Sequence, residues 1–276
     1  ARKPKMWTEL SEEEMKKLDE YRPELTTIQM NANLDLSQYS SKSYDKWDVD
    51  ELLHYLTVNA SSKNTFEVKS IVGYLGKKAQ ITESICEDIL SKNGLNILLN
   101  LLKCGGDRDV AVSMSCCKVI QILCESPNAY KYPAEKPGVF YLTTAIRNSF
   151  RNPIFCYTAF NCVCNFTHNN DRHREYIIDD EYNCKVIGYI LEGMNRFRYS
   201  EDDLTKNHHC EKVQISACLA LQNLAANENG RKSIGKDGVE AVLDGFIAHV
   251  ENNTVISAAL GTLINLCANE ENATQF

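Results

Sequence analysis

The chain has 276 residues, 43% of them apolar, and carries a formal net charge of −7. That composition supports a packed core, and the negative balance argues against nucleic acid as the main partner, since phosphate contacts want a basic face. No run of about eighteen apolar residues occurs, so no membrane-spanning helix is expected.

The chain opens at Ala1 rather than at methionine, with a small basic group of Arg2, Lys3 and Lys5. A start of this kind is read as a trimmed product, with any acylation signal expected upstream. Ser11-Glu-Glu-Glu14 has the form of a capping box, with Leu10 and Met15 at the flanking staple positions. A polar stretch from Asn31 to Ser43 comes next. Trp47-Asp48-Val-Asp-Glu51-Leu52 repeats the device, with Asp48 as cap and Trp47 set against Leu52. This first region is expected to close the apolar end of the helices beyond it.

From there two phrases alternate. The first is weak in Val68–Leu75 and clearer in Met114–Glu125, Tyr157–Asn169, Val213–Glu228 and Val255–Glu270. Within it an amide recurs: Gln121, Asn165, Asn223 and Asn265. The step is 44 residues from Gln121 to Asn165, 58 to Asn223 and 42 to Asn265. The long middle step predicts an extra loop of about 14 to 16 residues, an insert placed at 195–211. The second phrase is Ile89–Leu102, Glu135–Leu142 and Ile234–Leu243, with a glycine at 94, 138 and 238; Cys184 takes that place in Tyr182–Ile187. Glycine there fits a turn that needs positive φ. The apolar residues after it are spaced for a buried helix.

A helical period near 40 to 47 residues is that of armadillo or HEAT repeats. One short helix and two longer ones cannot bury an apolar face alone, so such units stack. The expected fold is all-α: a right-handed superhelical solenoid of about five to six armadillo repeats with an N-terminal helical cap. Residues 1–50 are taken as tail and cap, 51–276 as the array.

Twelve cysteines occur, and seven of them (Cys116, Cys117, Cys124, Cys162, Cys164, Cys218 and Cys267) sit at helix-core spacing. Free cysteine packs as a small hydrophobe, which suits a reducing, cytosolic compartment. His208-His209-Cys210 and Cys162-Val-Cys164 lack the second ligand pair that zinc needs. The latter two thiols should point to different faces of their helix. No phosphate loop, nucleophile elbow or zinc helix is present, so no cofactor, metal or catalytic residue is assigned.

The amide row is the main binding candidate. In armadillo folds the third helix lines a concave groove, and a carboxamide offers a donor and an acceptor to an extended peptide. The opposing reading is that each amide is spent on neighbouring backbone. Asn161 and His168 stand about one turn either side of Asn165 and share its surface. In the insert, Arg196 and Tyr199 are residue types that anchor interfaces. Importin-like proteins carry tryptophan four residues before the asparagine; here the places hold Cys117, Asn161, Leu219 and Gly261, which argues against nuclear-signal binding.

The whole layout resembles the armadillo-repeats-only proteins of apicomplexan parasites. It has a short basic start (Ala1-Arg-Lys-Pro-Lys5), a brief helical cap, and repeats to the end. The Asn93-Gly94-Leu95 turn and the run from Gln222 to Asn227 are generic armadillo features. The resemblance implies a non-enzymatic adaptor held by myristoyl and palmitoyl groups, attached upstream of Ala1, on the cytosolic face of rhoptries. It implies that these organelles are positioned at the cell apex through a myosin motor, a small armadillo-interacting protein and an adenylate cyclase. The alternative is a regulatory armadillo domain of a larger signalling enzyme, or a module that senses a nucleotide.

Overall fold

Asp48 starts the first described helix in the way its sequence predicts. Its carboxylate accepts the Glu51 amide at 2.8 Å, and Glu51 accepts the Asp48 amide at 3.0 Å. Trp47 and Leu52 are both buried beside this cap. The computed structural model describes residues 44–60, 64–105, 110–148, 152–178, 185–199 and 204–274. All belong to one compact unit, Ser43–Phe276. The Ser11–Glu14 box, the basic start, the polar stretch to Ser43 and Cys184 lie outside the described residues.

Among the described residues there are thirteen α-helices, two 3-10 turns and no strand. In order they are α1 (Val49–Val58), α2 (Thr65–Ala79), α3 (Glu83–Ser91), α4 (Gly94–Gly105), α5 (Val110–Cys124), α6 (Lys136–Asn148), α7 (Pro153–Thr167), α8 (Asp171–Ile178), α9 (Val186–Arg196), α10 (Leu204–Leu224), α11 (Glu228–Ala248), α12 (Asn253–Leu266) and α13 (Glu270–Ala273). A short helix followed by two longer ones recurs, as in α3–α4–α5 and α8–α9–α10. In the unit of α6 and α7 the short helix shrinks to the 3-10 turn Ala129–Lys131. In α11 the short and long helices run together across Gly235.

Two rows of helix contacts result. The third helices pack in sequence, α2 on α5, α5 on α7, α7 on α10 and α10 on α12; the second helices do the same, α4 on α6, α6 on α9 and α9 on α11. The fold is all-helical and repeat-like. Its core is the seam between the rows, where Leu98, Leu99, Ile120, Leu142, Phe160, Val213 and Val242 have no accessible surface or nearly none.

Two sequence expectations need correction here. Positive φ does not fall on Gly94, Gly138 or Gly238. It falls on Asn93, at 64°, and on Gly235, at 55°. The phrase glycines are small because of close approach instead. A Cβ on Gly94 would lie 2.6 Å from the Ile89 carbonyl oxygen, and one on Gly238 only 2.1 Å from the Ile234 Cγ2. The insert is also not all loop: α10 begins at Leu204 and has 21 residues, against 15 in α7. Part of the added sequence lengthens the third helix.

The cysteines behave mostly as core. Cys116, Cys117, Cys162 and Cys218 are fully buried, whereas Cys124, Cys164 and Cys267 are half-buried; all are free thiols. Burial pushes the Cys218 thiol up to about 12, so it stays protonated.

Candidate functional site

The last carbonyls of a helix have no partner within it. On the third helices, the next repeat adds a donor there, although the Gln121 carbonyl also accepts the Glu125 amide and that of Cys164 the Thr167 hydroxyl. Asn223 donates from Nδ2 to the Cys164 carbonyl at 2.8 Å, and Asn265 donates to the Gln222 carbonyl at 3.0 Å. Asn165 donates to the Gln121 carbonyl at 3.4 Å and to Glu125 Oε1 at 2.8 Å. A carbonyl can only accept, so each amide must turn its NH2 inward. No described residue donates to the outward Oδ1 atoms. Asn165 and Asn223 use both N–H donors in this way and Asn265 uses one, so the row presents mainly acceptors to its surroundings, where the sequence suggested donor and acceptor alike.

This pattern resets the register of α5. In the two later interfaces the accepting carbonyl belongs to the residue just before the asparagine place. By that rule Gln121, which accepts from Asn165, precedes the place, and Ile122 occupies it. Helix lengths agree, because Ile122 and Asn165 hold the same place in two 15-residue helices. The Gln121 side chain turns to Glu125 Oε1, at 3.3 Å. A glutamine one residue away from the true position imitated the missing asparagine. With the register reset, the residues four before the row become Lys118, Asn161, Leu219 and Gly261. Cys117 is buried, not exposed on that surface.

The second asparagine of each phrase has a separate task. Asn227 accepts from the Gly230 amide and Asn269 from the Asn272 amide, each capping the next short helix. After Asn165 the cap falls one residue late, on Asn170, which accepts from the His173 amide at 3.1 Å. Asn169 absorbs the extra residue at φ 49°.

Asn161 is half-buried on α7, and His168 is exposed just beyond its end, 3.1 Å from the Asn169 amide. His168 lines a cleft together with Asn165, and Asn161 stands one turn before Asn165 on the same helix. Arg196 and Tyr199 do not join the row. They lie at the end of α9, in the second-helix row, where the Tyr199 ring is 5.9 Å from that of His249. Arg198, between them in sequence, ties this corner down through Asp244 at 2.6 Å. His209 stacks on Tyr157 and His208 approaches Glu211 at 3.4 Å. Among the described residues no three potential ligands gather in one place. Cys162 packs against Cys117 while Cys164 faces Asn223, so the two thiols point to different faces.

A cleft of about 270 Å³ opens where the C-terminal ends of α5 and α7 meet; its wall includes Glu125, Tyr130, Asn165, His168 and His173. Beneath it His173 is buried and stacked on Phe166, with ring centroids 4.0 Å apart. Nδ1 lies 2.7 Å from the Phe166 carbonyl, and Nε2 accepts the Ala134 amide at 2.8 Å. Those partners assign one neutral tautomer, with the proton on Nδ1. Burial holds the ring's pKa down at about 4. Sequence reasoning passed over both His173 and Glu125. The only available signal for Glu125 was its place one turn after Gln121.

No family model matches the sequence, and no curated protein matches it. Among solved structures the chain is similar to a crystal structure of an engineered protein, with a TM-score of 0.56 and 18% identity, over 80% of this chain and 79% of that one. At that identity the likeness is one of fold alone.

The row makes a direct prediction. Replacing Asn223 with alanine leaves the Cys164 carbonyl only the Thr167 hydroxyl, at 3.2 Å, and should cost about 1 kcal/mol of stability. A urea titration reads this; an unchanged midpoint would mean that the amide is not part of the repeat-to-repeat seam.

Proposed function

We propose that this protein is a non-enzymatic armadillo-repeat adaptor. Its third-helix surface, in a right-handed superhelical stack of about five to six repeats, holds an extended segment of a partner protein. The observation that carries the reading is the row of outward carboxamide oxygens on α7, α10 and α12, set beside Asn161 and the exposed Leu219. Acceptors at a repeated spacing suit the amide hydrogens of an extended backbone, and the apolar side chain between them supplies contact area. The resemblance to apicomplexan armadillo-repeats-only proteins supports a finer reading. In it the adaptor works at the cytosolic face of rhoptries, anchored by acyl groups upstream of Ala1. There it recruits a myosin motor, an armadillo-interacting protein and an adenylate cyclase.

A displayed library of unstructured peptides tests the groove. Peptides enriched on the wild-type chain should bind the double variant Asn161→Ala, Leu219→Glu at least about tenfold more weakly, the loss expected of a central anchor. Both side chains reach the surface, so the thermal midpoint should hold. Equal binding to the variant, or no enrichment on the wild type, would remove the groove reading.

A further inference from the structure

Glu125 stands just past the end of α5 with its side chain exposed. Its Oε1 receives two neutral amides, Asn165 Nδ2 at 2.8 Å and Gln121 Nε2 at 3.3 Å. No lysine, arginine or histidine among the described residues forms an ion pair with it. The carboxylate is thus oriented but carries no countercharge. It lies where the C-terminal ends of α5 and α7 meet, and helix C-termini add partial negative charge.

The cleft beside it has further features that suit a cation. Tyr130 is 59% exposed and forms part of the wall. Its ring already draws the Lys131 ammonium to 5.8 Å. Asn165 contributes an outward carbonyl oxygen next to the carboxylate. No lysine or arginine is among the residues that line the space. His173 is buried with both ring nitrogens engaged, Cys124 is a free thiol, and the His168 ring is tied to Asn169.

We propose that this cleft is a subsite for one guanidinium side chain of the bound segment, an inference that rests on the groove reading above. A planar guanidinium matches what is present. Its fork can reach the second Glu125 oxygen and the Asn165 carbonyl together, and its face can lie on the Tyr130 ring. The ladder would then set the backbone of the partner, and Glu125 would fix its register by one arginine.

The test uses N-acetyl-arginine amide as the probe and N-acetyl-citrulline amide as its uncharged counterpart, each titrated into the isotope-labelled chain. The arginine amide should shift the backbone resonances of Tyr130, Asn165 and His168–Asn170 saturably. The citrulline amide should bind at least about tenfold more weakly, as expected when the charge-assisted bond is lost. Glu125→Gln should abolish the difference between the probes, and Tyr130→Ala should weaken the arginine amide alone. Equal response to citrulline, shifts remote from the cleft, or full binding by Glu125→Gln would overturn the subsite. Library peptides that bind wild type and Glu125→Gln alike would sink the subsite and leave the groove standing. Arginine-amide binding at the cleft with no library peptide bound would sink the groove alone.

Discussion

Replacing His173 with alanine is expected to lower the unfolding free energy by about 4 kcal/mol. Three losses add. The imidazole no longer stacks on Phe166, the Phe166 carbonyl loses its donor, and the buried Ala134 amide loses its acceptor. Each unsatisfied buried backbone group costs about 1–3 kcal/mol, and the lost ring leaves a void in the seam. The same histidine makes stability pH-dependent. Its folded pKa is about 4 against an ordinary 6.5, because burial disfavours the charged ring. Between those values the unfolded chain binds a proton that the folded chain does not. Stability is therefore complete above about 6.5 and falls as pH drops towards about 4, by about 3 kcal/mol in all. Urea titrations at several pH values, on wild type and on His173→Gln, separate this slope from those of other groups. A wild-type profile no steeper than the variant's would show that His173 does not titrate in this way.

The second large effect contrasts two residues at one repeat position. Five residues before the asparagine place stand Cys117, Phe160, Cys218 and Leu260. The first three are essentially inaccessible, while Leu260 is 48% exposed. Phe160→Ala should cost about 3–5 kcal/mol, the usual range for a buried phenylalanine. Leu260→Ala should cost about 1 kcal/mol, since about half of that residue stays in water on folding. Phe160 is also held from across the seam. A Cβ placed on Gly193 would come 2.6 Å from its ring, so the α9 backbone lies directly on it. Chemical denaturation of both variants gives the comparison. Similar losses would mean that Leu260 is covered to the same extent as Phe160.

Much of the fold is legible in the residues alone. The Asp48 capping box can be read because both its partners lie within three residues of each other. The alternating phrases mark the helices because apolar spacing matches helix geometry. Three expectations fail or shift for a common reason. Gln121 looks like a member of the amide row, but the row is defined by which carbonyl each amide meets on a neighbouring helix, and that carbonyl puts Ile122 in its place. The phrase glycines suggest positive φ, but contacts with Ile89 and Ile234 explain them. Arg196 and Tyr199 suit binding by residue type and insert position, yet they sit in the second-helix row, apart from the amides.

The recurring asparagines, the caps and the core cysteines were determined by sequence alone, since each depends on residues within one or two turns. Which half of each carboxamide faces its neighbour, where the row begins, and that Glu125 faces a cleft with no countercharge among the described residues were decided only by tertiary structure. The partner of Asn223 is a carbonyl 59 residues away. Register between stacked helices depends on side-chain packing across the seam, and no local pattern in either helix encodes it.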